Sequence, residues 1–143
     1  ACSQQHAPVI IMQGLEEPVY DVDLLGWQGK PIHVVPRRRI DSQDPNRGHI
    51  LVRDEKLIAL GQKIIEDFEL SWLYECDVMF DRNGNPYIIE INPRPSGSVT
   101  TSIAAGVPLY DDLIAMAKGE RTESAEIPFG TEILPYKSLR VVR

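Results

Sequence analysis

The chain has little cysteine. Cys2 and Cys76 are the only thiols among 143 residues, and no Cys/His spacing suits zinc. One lies near the terminus and one on the apolar face of a predicted strand. Such usage makes no disulfide framework and fits a reducing cytoplasm. No apolar run approaches the roughly 20 residues of a membrane span, and no signal-peptide pattern is present. The ten glycines are scattered, and neither G-x-G-x-x-G nor a Walker pattern occurs. No Ser-His or Cys-His arrangement offers a nucleophile. Positive charge is in deficit, with 15 Lys and Arg against 21 Asp and Glu for a net charge of −6. That balance argues against nucleic acid or an anionic membrane as partner. The remainder is ordinary for a globular domain, at 43% hydrophobic and 25% charged residues. The length suits one domain.

The most informative stretch is Tyr74 to Ser98, YECDVMFDRNGNPYIIEINPRPSGS. Asn83-Gly84 signals a two-residue hairpin turn, because both residues tolerate positive φ. β-Branched and aromatic residues flank it. Fixing the turn fixes the register. Phe80 then faces Tyr87, Val78 faces Ile89, Asp77 faces Glu90 and Glu75 faces Asn92. Alternation places Tyr74, Cys76, Val78, Phe80, Tyr87, Ile89 and Ile91 on a core face. Glu75, Asp77, Glu90 and Asn92 share the other.

Two carboxylates directly opposite lie roughly 5 Å apart at Cβ and repel. A hard divalent cation offsets that repulsion, and Mg²⁺ is often held by one or two carboxylates plus substrate phosphates. The alternative is a solvated acidic face without a ligand. The next residues, Asn92-Pro93-Arg94-Pro95-Ser96-Gly97-Ser98, add a guanidinium suited to phosphate. Together they point to a nucleotide–metal site.

This segment resembles the metal-binding hairpin of the ATP-grasp superfamily, whose second strand ends in E-[IVL]-N-P-R. IIEINPRPSGS is most similar to the carbamoyl-phosphate-synthetase-like, carboxylate–amine ligase branch. VYDVDLL…GKPIHVVPRRR resembles that branch's upstream strand pair. The likeness spans roughly residues 9 to 118. It implies an α+β fold, a mostly antiparallel sheet flanked by helices on one side, forming the C-terminal lobe of an ATP-grasp domain. It also implies ATP and Mg²⁺ (or Mn²⁺) as cofactors, and activation of a small-molecule carboxylate as an acyl phosphate that an amine or thiol attacks. Asp77, Glu90 and Asn92 would hold metal, with Glu75 in support, and Arg94 would stabilise the transferring phosphoryl group. Gln13 and Leu15 would contact adenine, in the linker Gln13–Pro18 between lobes. The ribose acid falls near Val19, with Glu16 or Glu17 as substitutes; an ordinary acidic turn is the other reading. The glycine-rich loop and lysine of the earlier lobe are not found, so the chain is expected to be a fragment or isolated lobe, inactive alone, whose partner is the missing lobe.

Along the chain, 1–143 is expected to form a single domain, with a loose lead over 1–8, a linker over 119–132 and an edge strand over 133–143. Pro8–Met12 reads as a short strand. Asp21 and Asp23 share a face of the strand Val19–Gly26, and Arg37 and Arg39 share a face of the returning strand Lys30–Ile40. The two arginines either touch phosphate or substrate, or pair with the two aspartates. His33 reads as packing. Asp41–His49 reads as a polar loop, with Arg47 and His49 as weak ligand candidates. Asp54 caps a helix reaching Glu69. Helices are expected over Val99–Ala105 and Leu109–Lys118.

Overall fold

A computed structural model of the protein describes residues 11–120, 122 and 125–136. Cys2, the lead over 1–8, most of the strand read at Pro8–Met12 and most of the edge strand over 133–143 lie outside the described residues. Among the described residues six strands form one sheet: β1 (Glu16–Trp27), β2 (Lys30–Arg39), β3 (His49–Leu51), β4 (Trp72–Phe80), β5 (Pro86–Asn92) and β6 (Glu132–Ile133). Their order is β5-β4-β1-β2-β3-β6, and every neighbouring pair is antiparallel. Helices α1 (Glu55–Asp67), α2 (Thr100–Ala104) and α3 (Leu109–Ala117) complete the α+β fold.

β1 and β2 form the central hairpin. Gln28 and Gly29, at φ 51° and 73°, make its turn, and Trp27 pairs with Lys30. Two consecutive left-handed residues match the twist of the strands they join. β1 begins at Glu16, so the break expected over Gln13–Pro18 is strand in its second half.

Strand alternation gives each sheet face its own core. Val22, Leu24, Val34, Cys76 and Val78 pack with Leu57, Ile64 and Ile65 of α1. The adjacent residues Leu25 and Val35 point the other way and pack with Leu51, Leu73, Val99, Val107, Leu109 and Met116. Helices therefore cover both faces, not one. Helix periodicity identified the buried stripe of α1, Leu57, Gly61, Ile64 and Ile65. In α3, however, Tyr110 and Ile114, expected in the core, are exposed while Leu109 and Met116 are buried. Periodicity carried no information on which sheet face a helix meets. α1 starts where expected: Asp54 Oδ1 accepts from Lys56 N (2.9 Å) and Leu57 N (3.1 Å), satisfying amides that the first turn leaves open.

The β4–β5 hairpin departs from the expected register in two places. Its turn has three residues, because Asp81 N donates to Asn85 O and Gly84 N to Asp81 O, each at 2.9 Å. Asp81 Oδ1 accepts from Asn83 N (2.9 Å) and Asn85 N (2.8 Å). This aspartate-centred turn displaces the two-residue one, and only Gly84 takes positive φ (73°). Phe80 consequently pairs with Pro86, Met79 with Tyr87 and Val78 with Ile88. A bulge then takes up Ile89 and restores the expected pairs, Asp77 with Glu90 and Glu75 with Asn92. Bulges of this kind re-aim the side chains beyond them. Tyr87 and Ile89, expected in the core, are 39% and 46% exposed, because β5 is a sheet edge.

The polar stretch 41–49 contains a 3-10 turn, Pro45–Arg47, capped by Asp44, and ends in β3, a strand too short to show periodicity. β6 covers the outer edge of β3, and Ile127 and Phe129 pack on the second core.

Candidate metal and nucleotide site

The face of the sheet shared with α2 and α3 is apolar at one end and ionic at the other. Asp21 and Asp23 project from β1, Arg37 and Arg39 from β2, and Glu75 and Asp77 from β4. Cross-strand pairing sets Asp21 between Arg37 and Asp77, and Asp77 opposite Glu90. Asp21, Asp23 and Arg37 are completely buried. Buried charges of this kind persist only when paired and hydrogen-bonded.

Asp21 accepts from Arg39 Nε (2.7 Å) and from Ser98 Oγ (3.3 Å), and lies 2.7 Å from His49 Nε2. Burial opposes its ionisation, but the bonds from His49 and Arg39 prevail and hold its pKa well below the usual range. Asp23 accepts from Arg37 Nη2 (2.9 Å) and Ser102 Oγ (2.6 Å). Asp77 Oδ2 accepts from Arg39 Nη2 at 2.8 Å, while its Oδ1 is shielded from solvent without a hydrogen-bond partner. Burial, then the charge of Asp21, raise the pKa of Asp77 to about 6 against the pull of Arg39. Glu75 accepts from Ser96 Oγ (2.8 Å) and Asn92 Nδ2 (3.3 Å). Asn92 Nδ2 also donates to Glu90 (2.8 Å), and Arg94 Nη1 lies 3.7 Å from Glu75.

Arg39, Asp77, Glu90, Asn92 and Arg94 line one cleft of about 300 Å³, with Asn46 and Ser96 at its sides. The expected metal residues and the expected phosphate arginine therefore meet. Gln13 and Leu15 do not join them: they line a separate groove beside Asp81, Arg82 and Asn83. Arg37 is sealed away from solvent and bonded to Asp23, Ser98 and Thr101. Of its two expected roles, pairing is the one its surroundings display. Arg39 also pairs, with Asp21 and Asp77, and unlike Arg37 it lines the cleft. His49 is likewise buried on Asp21, and Arg47 lines a different groove. His33, read as packing, lies 2.5 Å from Asp112 of α3.

Three carboxylates, Asp21, Glu75 and Asp77, bring oxygens within 4.8 Å of one another. Together with the partnerless Asp77 Oδ1 this is an oxygen-rich, electron-rich donor set, and it fits a hard cation such as Mg²⁺. Sequence reasoning missed Asp21 as part of this group. The available signal was a pair of acids, two residues apart, inside the otherwise apolar strand VYDVDLLG.

The model of a family described as "ATP-grasp in the biosynthetic pathway with Ter operon" matches residues 5–138. The chain belongs to this ATP-grasp family. No curated protein is significantly similar to it. Solved ATP-grasp structures share its fold. The biotin carboxylase domain of 2-oxoglutarate carboxylase from Hydrogenobacter thermophilus, complexed with MgADP, ADP and bicarbonate, superposes with a TM-score of 0.59 at 23% identity. That match covers 78% of this chain and 27% of the other. Biotin carboxylase from Campylobacter jejuni, in a β,γ-ATP complex, gives 0.54 at 18% identity over 74% and 26%. L-amino acid ligase from Bacillus licheniformis gives 0.53 at 19% over 71% and 29%. The ATP-grasp chain thus spans less than a third of each of these proteins.

Proposed function

We propose that the chain is the C-terminal, metal- and nucleotide-binding lobe of an ATP- and Mg²⁺-dependent ligase that joins a small-molecule carboxylate to an amine or thiol. One observation carries this reading: Asp77 and Glu90 face each other across β4 and β5 in a cleft that also holds Asn92 and Arg94. Asp77, Glu90 and Asn92 would hold one or two Mg²⁺ ions, with Glu75 fixing Asn92. These three side chains would keep the metal in the cleft, where the chemistry it supplies is neutralisation of phosphate charge.

The chain's own side chains supply the rest. Arg94, 59% exposed at its side chain, reaches the open side of the cleft and would stabilise the γ-phosphoryl group. Arg39 would turn a guanidinium edge toward the same phosphates. The substrate carboxylate oxygen would attack the γ-phosphorus with ADP leaving. The amine or thiol would then attack the acyl carbon, losing its proton as phosphate departs. Gln13 and Leu15 remain candidates for the adenine edge, and Arg37 supports the site from beneath. A further lobe would supply the remaining phosphate and substrate contacts, in a cytoplasmic enzyme.

Support comes from the family match, from one neighbour solved with MgADP and another as a β,γ-ATP complex, and from the donor chemistry of the cleft. Glu90→Gln tests it. Glu90 sits on the exposed edge strand, so this variant should fold normally and lose Mg²⁺-dependent ATP turnover in the intact protein. Undiminished turnover would sink the metal assignment.

A further inference from the structure

Arg37 stands out because it underlies the cleft without lining it. It is among the largest fully buried side chains of the protein. One edge of its guanidinium meets Asp23, with Nη2 at 2.9 Å from Oδ1 and Nε at 2.9 Å from Oδ2. Asp21 Oδ2 adds a second, more distant carboxylate at 3.8 Å from Nη1. The other edge leaves the hairpin: Nη1 reaches Ser98 O (3.1 Å), Ser98 Oγ (2.9 Å) and Thr101 Oγ1 (2.9 Å). Ser98 follows directly on the loop that carries Arg94.

From Ser98 the bonds continue into the cleft. Ser98 Oγ lies 3.0 Å from Ser96 Oγ, and Ser98 N donates to Ser96 Oγ at 3.1 Å. Ser96 Oγ donates to Glu75 (2.8 Å), whose other oxygen accepts from Asn92 (3.3 Å). The links run from 2.8 to 3.3 Å, and four of the members, Arg37, Ser98, Ser96 and Glu75, are buried. Desolvated networks of this kind hold a geometry when every member is satisfied. A buried ion pair by itself seldom adds stability over apolar packing, so the pair is better explained by what its second edge orients.

We infer that Arg37 is a positioning residue: it anchors the Asn92–Ser98 segment to the rigid central hairpin, and so sets the aim of Asn92 and Arg94. This rests on the metal reading above for its consequence, but not for its geometry. Partners that orient metal ligands typically change affinity by tenfold or more when removed.

The test compares Ser98→Ala, which removes the links through Ser98 Oγ to Arg37 and Ser96 while leaving the Arg37–Asp23 pair and the bond to Ser98 O in place, with Ser98→Thr, which keeps the hydroxyl, and Arg37→Lys, which keeps the charge but loses the fork. Mn²⁺ affinity of the intact protein is read by electron paramagnetic resonance, beside melting temperature. Ser98→Ala and Arg37→Lys should each weaken Mn²⁺ binding by roughly tenfold, with Ser98→Thr close to wild type. Equal Mn²⁺ affinity in all four proteins, whatever their melting temperatures, would reduce Arg37 to fold support. If the wild type binds no Mn²⁺, the metal reading falls and amide exchange across Ser96–Thr101 decides the tether. Faster exchange in Ser98→Ala upholds it, and unchanged exchange overturns it.

Discussion

Arg39 holds two aspartates from different strands with a single nitrogen: its Nη2 lies 2.8 Å from Asp77 Oδ2 and 2.5 Å from Asp21 Oδ1. A guanidinium thus occupies part of the space between carboxylates that a cation would otherwise bridge. It is a counter-charge that the two aspartates share. Its own proton is held more firmly than usual: burial alone would loosen it, but the bond and charge of Asp21 outweigh burial.

Arg39→Met should therefore leave Asp77 without its ion-pair partner and take from Asp21 the nearer of its two guanidiniums. Removing one partner of a buried ionic cluster costs about 3 kcal/mol, which is on the order of 5–10 °C in melting temperature for a protein of this size. Millimolar Mg²⁺ should restore a large part of the loss, because it binds the folded state alone. Thermal melts with and without Mg²⁺ check this. A variant that gains no more from Mg²⁺ than the wild type does would show that the three carboxylates are not a shared cation site.

The opposition of Asp77 and Glu90 was legible from the acids, the Asn-Gly dipeptide and the period of two. It was reached through a turn one residue too short, and the bulge at Ile89 offsets that shift. Turn type depends here on the Asp81 side chain, a local competition that a dipeptide rule overlooks. The exposure of Tyr87 and Ile89 was not legible, since the composition and alternation of one strand do not say whether it lies at the edge or the centre of its sheet. Asp21's place beside Asp77 depends on β1 lying between β2 and β4, a non-local pairing that alternation within one strand does not encode. The likeness of EINPR to a known signature carried the functional reading further than periodicity did.

α1 gives a prediction about the scaffold. A Cβ on Gly61 would sit 2.5 Å from Val34 Cγ1 and 2.8 Å from Leu24 Cδ2. Alanine is the better helix former by about 1 kcal/mol, yet the stiff, β-branched Val34 has little room to yield. Gly61→Ala should lose about 1–2 kcal/mol net by overpacking, read from urea unfolding. A stabilised variant would mean that α1 can lift from β1 and β2 without cost.

Cys76 gives a chemical prediction. Its thiol is buried on β4, and burial, followed by the charges of Asp77, Glu75 and Glu90, raises its pKa to about 12. The thiolate is the reactive form. In the folded protein Cys76 should resist alkylation at pH 8 and react only on unfolding, as peptide mapping by mass spectrometry would reveal. Rapid labelling under native conditions would place Cys76 outside the core.

The pH response follows from Asp77. Its pKa is about 6 folded and returns to the ordinary 3.8 on unfolding. Folding thus prefers the protonated form, and this group's favourable contribution is complete below 3.8 and lost as pH rises through about 6. Asp21, shifted the opposite way, contributes stability above its unfolded value that is lost only in strong acid. Without metal, Asp77→Asn should gain stability relative to wild type at pH 8 and not at pH 4. Metal ligands bind deprotonated, so Mg²⁺ should compete with the Asp77 proton, and its affinity for wild type should fall steadily below about pH 6. Calorimetric titration at pH 5 and pH 8 measures this directly. A pH-independent affinity would mean that Asp77 is not a ligand, and the cleft would then have to hold its cation through Glu90 and Asn92 alone.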